Sequence, residues 1–197
     1  MMSGKNSYKY KTGLACMRVQ PFHTGHQRLI DKMLSECETC FLAIGSANEE
    51  GTERNPISYT NRKRLVENFY VGDWMEGRLF IFPATDINDL PNWSTFVTNM
   101  VPFPVDIYYA GTEGDAIAFR DYPPKDYQEI KVEVLGRDEL PKFVSATEIR
   151  NLFNKGNPTW KLFIPTGNVD ITERVLNGLH PFPKLEELEN EMGGELE

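Results

Sequence analysis

The strongest constraint on the fold is an apolar run that is followed by a turn, an amphipathic helix and a second apolar run. The first run covers residues 14–17, and the second covers residues 41–45. Between them, apolar residues recur with helical spacing at Leu29, Ile30, Met33, Leu34 and Cys37. A strand, a crossover helix and a second strand form a unit whose strands are parallel. This pattern predicts a parallel sheet at the core.

The same alternation continues along the chain. Further apolar runs at 79–82, 105–109 and 130–135 predict three more strands, with helical segments between them and a final helix after Pro165. We therefore predict an α/β fold, a doubly wound, five-stranded, mainly parallel sheet of the Rossmann-like kind with C-terminal helices. We expect one domain over residues 12–183, a flexible tail at 1–11 and an acidic tail at 184–197.

The charge of the chain excludes some classes of partner. The formal net charge is −8, which argues against a broad surface for nucleic acid or an anionic membrane. No apolar run approaches the roughly 20 residues needed to cross a bilayer. The basic N-terminal residues lack the apolar stretch of a secretory signal. We expect a cytoplasmic protein that binds neither nucleic acid nor membrane.

Two of the three cysteines, Cys37 and Cys40, have the C-x-x-C spacing of zinc and redox sites. A zinc site would need two further ligands, and the sequence contains no second C-x-x-C pair. Disulfides are not expected in a cytosolic chain. The alternative is that both are small apolar residues at the start of the second strand.

The turn between the first strand and the first helix, residues 18–26, contains two histidines. The start of a helix presents unpaired N–H groups and the positive end of the helix dipole, which attract phosphate. His23 and His26 are three residues apart, so their rings can converge on one anion, and Gly25 allows close approach. The alternative is a solvated surface turn. The third histidine, His180, lies in a predicted loop.

A second helix start has the same potential. Ser145 and Glu148 have the spacing of a capping box, with Thr147 and Arg150 in the first turns of the helix. Alternatively, Arg150 pairs on the surface with Glu148 or Asp138. Spacing alone therefore predicts a nucleotide-phosphate site on an α/β sheet.

In order, these motifs resemble the H-x-G-H nucleotidyltransferases related to class I aminoacyl-tRNA synthetases, and within them the archaeal-type nicotinamide mononucleotide (NMN) adenylyltransferases. The resemblance extends from about residue 12 to about residue 177. It rests on Arg18-Val-Gln-Pro-Phe-His23-Thr-Gly-His26, Ile44-Gly-Ser-Ala-Asn48, Arg54-Asn-Pro56, Trp93 and Ser145-Ala-Thr-Glu-Ile-Arg150.

The resemblance implies an enzyme that transfers AMP from ATP to NMN and forms NAD and pyrophosphate. Members of this family use Mg²⁺ with the ATP phosphates, often also accept nicotinate mononucleotide, and are commonly oligomeric. The implied partners are therefore ATP, NMN, NAD and further copies of the chain. No metal-ligating side chain is implied.

The resemblance also implies roles for individual residues on the ATP side. His23, His26 and Arg18 would contact the ATP phosphates and carry the chemistry together with Arg150. The second phosphate-binding element would consist of Ser145, Thr147 and Arg150.

On the other side, Arg54 would reach NMN, Trp93 would stack on the nicotinamide ring, and Asp86 would line the nicotinamide pocket. Gln20 and Gly111 are also expected to bind substrate. The alternatives are a solvated Arg54 and a Trp93 that serves only in packing.

Three positions depart from the family pattern. Met17 replaces the usual glycine before the motif arginine, Val19 replaces the usual phenylalanine or methionine after it, and Thr112 replaces the usual asparagine after Gly111. These changes put the shape of the adenosine site in question. Two other functions remain open at this point. One is another nucleotidyltransferase of the same fold, acting on phosphopantetheine or a cytidylyl acceptor. The other is a non-catalytic nucleotide-binding regulator.

Overall fold

The computed structural model describes residues 8–125, 129–136 and 145–182, so the predicted acidic tail lies outside the described residues. Two short 3-10 helices, Pro158–Phe163 and Thr166–Asn168, precede the last α-helix. The strands are β1 (Tyr10–Met17), β2 (Cys37–Ile44), β3 (Leu79–Pro83), β4 (Ile107–Ala110) and β5 (Lys131–Val134). The helices are α1 (Thr24–Glu36), α2 (Tyr59–Phe69), α3 (Val71–Met75), α4 (Leu90–Thr98), α5 (Glu113–Arg120), α6 (Ala146–Asn154) and α7 (Val169–Leu176).

The five strands form one sheet in the order β3-β2-β1-β4-β5, and every neighbouring pair is parallel. The predicted doubly wound α/β fold is confirmed. β1 is central, because Gly13 is in register with Cys40 of β2 on one side and with Ile107 of β4 on the other. All five strands therefore end at the same edge of the sheet, where open α/β folds bind ligands.

Successive residues of β1 point to opposite faces of the sheet, and each face is covered by helices. Ala15 belongs to a buried cluster that includes residues of α1, α2 and α7, whereas Leu14 belongs to one that includes residues of α4 and α5. A smaller buried cluster joins α6 to the first 3-10 helix through Ile149, Trp160 and Ile164. No helix in the described ranges has the length and apolar character needed to cross a bilayer.

The structure differs from the sequence prediction at several places. β1 includes Tyr10 and Lys11, which we assigned to the flexible tail, because Tyr10 is in register with Cys37 and the Lys11 N–H donates to Asp106 Oδ2. α1 ends at Glu36, and Cys37 is already extended as the first residue of β2. The short helix α3 was not predicted, and no side chain caps its start.

The absence of a side chain at Gly13 leaves room for the buried side chain of Cys37. A Cβ atom built on Gly13 would lie 2.6 Å from Cys37 Sγ and 3.0 Å from Met33 Cγ. Cys37 and Cys40 are both fully buried in the core, and the described residues contain no group of three His, Cys, Asp or Glu side chains able to hold a metal ion. The structure favours their interpretation as small apolar core residues.

We expect Gly13→Ala to lower the free energy of unfolding by about 1–3 kcal/mol, because the added methyl group overpacks a buried contact. Urea denaturation measures the change. Gly72→Ala is the control, because its added Cβ would meet no atom within 4 Å apart from its chain neighbours and the backbone of its own helix. Cys37→Ala introduced into the Gly13→Ala protein should recover part of the loss. Equal stability of the Gly13→Ala and wild-type proteins would contradict the packing argument.

Candidate active site

A cavity of about 1130 Å³ lies at the carboxyl ends of β1 to β4. Adjacent strands are about 4.8 Å apart, so four neighbouring strand ends span roughly 14 Å. The volume exceeds the upper end of the range, about 1,000 Å³, that is usual for a single small ligand. All of the site residues predicted from the sequence line this cavity: Arg18, Gln20, His23, His26, Arg54, Asp86, Trp93, Gly111, Ser145, Thr147 and Arg150.

The two histidines of the first turn lie side by side at the start of α1. Their ring centroids are 3.8 Å apart, as the spacing predicted. His23 is the N-cap of α1, and its Nδ1 accepts a hydrogen bond from the Gly25 N–H at 3.0 Å. In the neutral ring the proton is therefore on Nε2, which is a donor. The first turn of α1 has no acidic side chain to compete with an anion.

His26 is held in its neutral form before any ligand binds. Burial is the main cause that lowers its pKa well below the ordinary value of 6.5, and the nearby His23 and Arg18 lower the pKa further. Its Nδ1 is buried and has no hydrogen-bond partner in the described part of the chain. An orphaned ring nitrogen next to cationic groups is suited to contact an anion.

The second helix start, that of α6, has the predicted capping box. The Glu148 N–H donates to Ser145 Oγ at 3.2 Å, and the Ser145 N–H donates to Glu148 Oε2 at 2.9 Å. The Ser145 hydroxyl also donates to Glu148 Oε2, so this side chain is occupied with capping. Thr147 is exposed at the same helix start and lines the cavity.

Arg150 holds α6 against the histidine turn through backbone carbonyl oxygens. Its Nη1 donates to the Gln20 carbonyl oxygen at 2.6 Å, and its Nη2 donates to the Glu53 carbonyl oxygen at 3.2 Å. Burial and the charge of Arg18 lower the pKa of Arg150, in that order of importance, and Glu53 opposes them. The two phosphate-binding elements predicted from the sequence are thus joined directly.

Gln20 fixes the loop that contains Arg54. Its side-chain Nε2 donates to the Ile57 carbonyl oxygen and its Oε1 accepts from the Ile57 N–H, both at 3.0 Å. Gln20 is 3% exposed, and this amide pair accounts for its burial. Arg54 is exposed in the anchored loop and lines the cavity.

Beyond β3, the cavity wall contains a carboxylate and an indole ring. Asp86 Oδ2 accepts a hydrogen bond from Ser46 Oγ at 2.7 Å, and the Asp86 N–H donates to Asn48 Oδ1 at 3.2 Å. Trp93 on α4 is half-buried and contacts Phe119 edge to face, with ring centroids 6.1 Å apart. The Trp93 ring thus packs on one neighbour and also borders the cavity.

Met17, Val19 and Thr112, which depart from the family pattern, also border the cavity. Met17 is the last residue of β1, half-buried, and packs partly on the core below. Thr112 caps α5: its Oγ1 accepts from the Asp115 N–H at 3.1 Å and donates to Asp115 Oδ2 at 2.7 Å. Gly111 next to it has room for a Cβ, whose nearest contact would be 3.6 Å away.

The thiol of Cys16 lies in the same cavity wall. Burial, with smaller contributions from Asp115 and Asp86, raises its pKa to about 12. Cys16 is therefore a neutral thiol near pH 7 and not a nucleophile.

The sequence interpretation missed Arg62, which lies on α2 behind the cavity and is fully buried. Its guanidinium donates to the carbonyl oxygens of Arg18, Gly45 and Ser46 at 2.7–3.0 Å. The sequence contained a sign of this burial. Arg62 lies three and four residues before Leu65 and Val66, so a charged residue occupies the apolar stripe of the helix.

The cavity also contains the three non-glycine residues that have positive φ in the described structure. Val19 has φ of 56°, Ser46 of 49° and Asn88 of 53°. Left-handed backbone is costly for residues with a Cβ, and most of all for a β-branched valine. Strained backbone of this kind clusters at functional sites.

Comparison with known proteins identifies the family of this chain. The model of the cytidylyltransferase-like family matches residues 18–152. The nicotinamide-nucleotide adenylyltransferase of Thermococcus kodakarensis is 33% identical over 166 residues, which are 84% of this chain and 84% of that protein. The protein of the same name from Thermococcus onnurineus is 30% identical over 165 residues, which are 84% of this chain and 83% of that protein.

Solved structures agree on the fold. A bifunctional NMN adenylyltransferase/ADP ribose pyrophosphatase from Francisella tularensis superposes with a TM-score of 0.64 at 20% identity, covering 94% of this chain. A second structure of the same description, complexed with AMP and a Mn ion, has a TM-score of 0.56 at 19% identity and covers 95% of this chain. This chain spans 55% and 49% of the length of those bifunctional chains. With the family match and the archaeal relatives together, the chain belongs to the cytidylyltransferase-like family and, within it, to the nicotinamide-nucleotide adenylyltransferases of archaeal type.

Proposed function

We propose that this chain transfers AMP from ATP to NMN, forming NAD and pyrophosphate. The observation that carries the proposal is one large cavity whose lining combines two joined helix starts and several cationic side chains with a carboxylate and an indole ring. The names of the Thermococcus relatives support the same reaction. ATP would bind at the histidine turn and α6, and NMN would bind near Arg54, Asp86 and Trp93.

The reaction needs positioning and charge neutralisation more than a nucleophilic side chain. An oxygen of the NMN 5′-phosphate attacks the α-phosphorus of ATP, the bond from that phosphorus to the bridging oxygen breaks, and pyrophosphate leaves with the electron pair. Preorganised donors stabilise the charge of such a transition state. The donors at this end of the cavity are His23, His26, Arg18 and the N–H groups at the starts of α1 and α6.

A divalent cation would enter with ATP. Magnesium in nucleotide sites is held largely by substrate phosphates and water, with few protein ligands. The lack of a metal-binding cluster among the described side chains fits this arrangement, and the Francisella structure with AMP and a Mn ion supports use of a divalent cation. When bound, the ion neutralises phosphate charge. We propose Mg²⁺ as that ion.

The direct test is incubation of the protein with ATP, Mg²⁺ and NMN, with NAD measured as product. Parallel reactions with nicotinate mononucleotide and phosphopantetheine define the acceptor. NAD formation with NMN is the expected result. Pyrophosphate release with phosphopantetheine alone would replace the proposal with another transferase of this fold, and ATP binding without turnover would leave only nucleotide binding.

We expect His26→Ala to lower kcat/KM by about 100-fold or more, because it removes a preorganised donor to the phosphates. The melting temperature should change little, since His26 Nδ1 has no bond to lose within the described chain. His180→Ala is the matched control, because this histidine lies outside the cavity. Pyrophosphate release by His26→Ala at the wild-type rate would contradict the assignment.

We expect pyrophosphate to bind more tightly as the pH falls through and below 6.5, the ordinary pKa of histidine. His26 is neutral in the free protein, and an anion next to its ring raises its pKa, so the complex takes up a proton that the free protein does not hold. Calorimetry at several pH values measures the affinity of the wild-type protein and of His26→Gln for pyrophosphate. Titration of pyrophosphate itself affects both proteins equally, so the difference between their pH dependences isolates the effect of His26. The same pH dependence of affinity in both proteins would contradict the proposed role of His26.

We expect Trp93→Ala to raise the KM for NMN about tenfold, the effect of losing one stacking contact, without changing the KM for ATP. Trp74→Ala is the control, because Trp74 is 47% exposed and borders a separate groove. Equal increases in both KM values for Trp93→Ala would indicate that the indole only supports packing.

A further inference from the structure

We infer that Arg62 is a positioning residue, which holds the turns after β1 and after β2 in the geometry that adenylyl transfer requires. The inference rests on the function proposed above. Arg62 does not line the cavity and is 0% exposed, so it acts through the backbone that does line it.

The contacts of Arg62 join the ends of two strands. Its Nη1 donates to the Arg18 carbonyl oxygen at 2.8 Å and to the Gly45 carbonyl oxygen at 2.7 Å, and its Nη2 donates to the Ser46 carbonyl oxygen at 3.0 Å. The last regular contact between β1 and β2 is close by, where the Gly45 N–H donates to the Met17 carbonyl oxygen at 3.0 Å. One planar group therefore fixes the chain where both strands end.

Packing alone does not explain an arginine at this position. Among the described residues, no carboxylate forms an ion pair with Arg62, and its buried Nε has no hydrogen-bond partner. Burial, the main cause, lowers its pKa, and Tyr59, Asp86 and Glu50 oppose this only in part. A buried charge without a direct ion pair is unfavourable, and an apolar residue beside Leu65 and Val66 would suit the helix better. The arginine therefore provides something other than stability.

Arg62 stabilises strained backbone at two turns. Val19, which follows the Arg18 carbonyl, and Ser46 both have positive φ. Such conformations persist only where the surroundings over-determine them, and Arg62 binds a peptide carbonyl at each of the two positions. The guanidinium thus favours the left-handed geometry on both turns at once.

The two turns serve different sides of the cavity. The first leads from Arg18 to His23 at the start of α1, on the side of the phosphates. The second presents Ser46, whose Oγ donates to Asp86 on the side of the aromatic ring. Loss of the guanidinium should therefore affect both substrates. Lysine keeps the charge but lacks the planar fork that reaches three acceptors.

The test compares Arg62→Lys and Arg62→Ala with the same changes at Arg78. Arg78 is a matched control because it is partly buried, donates to the Leu34 carbonyl oxygen at 2.7 Å and lies outside the cavity. We expect Arg62→Lys to lower kcat about 100-fold, the effect of a misplacement near 1 Å, and to raise the KM for both substrates. Arg78→Lys should change the melting temperature but not kcat.

Chemical rescue separates positioning from a general loss of structure. We expect millimolar methylguanidinium to raise the kcat of Arg62→Ala at least about tenfold, because it supplies the planar fork. Methylammonium should not restore it. Equal rescue by both ions, or rescue by neither, would overturn the inference. If Arg62→Ala does not fold, Arg62→Lys decides alone.

The two proposals fail in different ways. A wild-type protein that forms no NAD from ATP and NMN would overturn the proposed function, and this inference with it. An active wild type whose Arg62→Lys variant retains the wild-type kcat would overturn only the positioning role.

Discussion

Parallel pairing of β1 with β2 on one side and β4 on the other is the constraint on which the site depends. Because these strands run in the same direction, the turns that follow them open at one edge of the sheet. Residues far apart in the chain, such as His23 and Gly111, are therefore brought to one cavity. α6 is outside this sheet, and Arg150 connects it to the edge through backbone carbonyl oxygens.

The cavity assembles positive groups before it holds an anion. Burial is the main cause that lowers the pKa values of His26 and Arg150, and the charge of Arg18 lowers both further, which means that the cationic forms repel one another in the free protein. Repulsion among these groups lowers the stability of the free protein. Function requires them together, because the same positive charge attracts a polyphosphate. Neutral His26 reduces that repulsion until the ligand is present.

Local sequence signals were sufficient for much of this structure. The strand and helix periodicities predicted the parallel sheet, and the capping box at Ser145 predicted the start of α6. The two histidines were correctly expected to lie close together. These features depend on residues that are near in sequence. The partners of Gln20, Arg62 and Arg150 were not predictable in this way, because those side chains bond backbone atoms 16 to 130 residues away. Position on an apolar stripe was the only local sign of Arg62.

The anchoring of the loop at residues 53–57 has a consequence for the entropy of binding. This loop is fastened at Ile57 by Gln20 and at Glu53 by Arg150 before any substrate arrives. Ordering a free loop on binding consumes part of the interaction free energy, at about 1–2 kcal/mol per residue for the backbone. Here that ordering belongs to folding, so an incoming nucleotide meets a loop whose conformational freedom has already been removed.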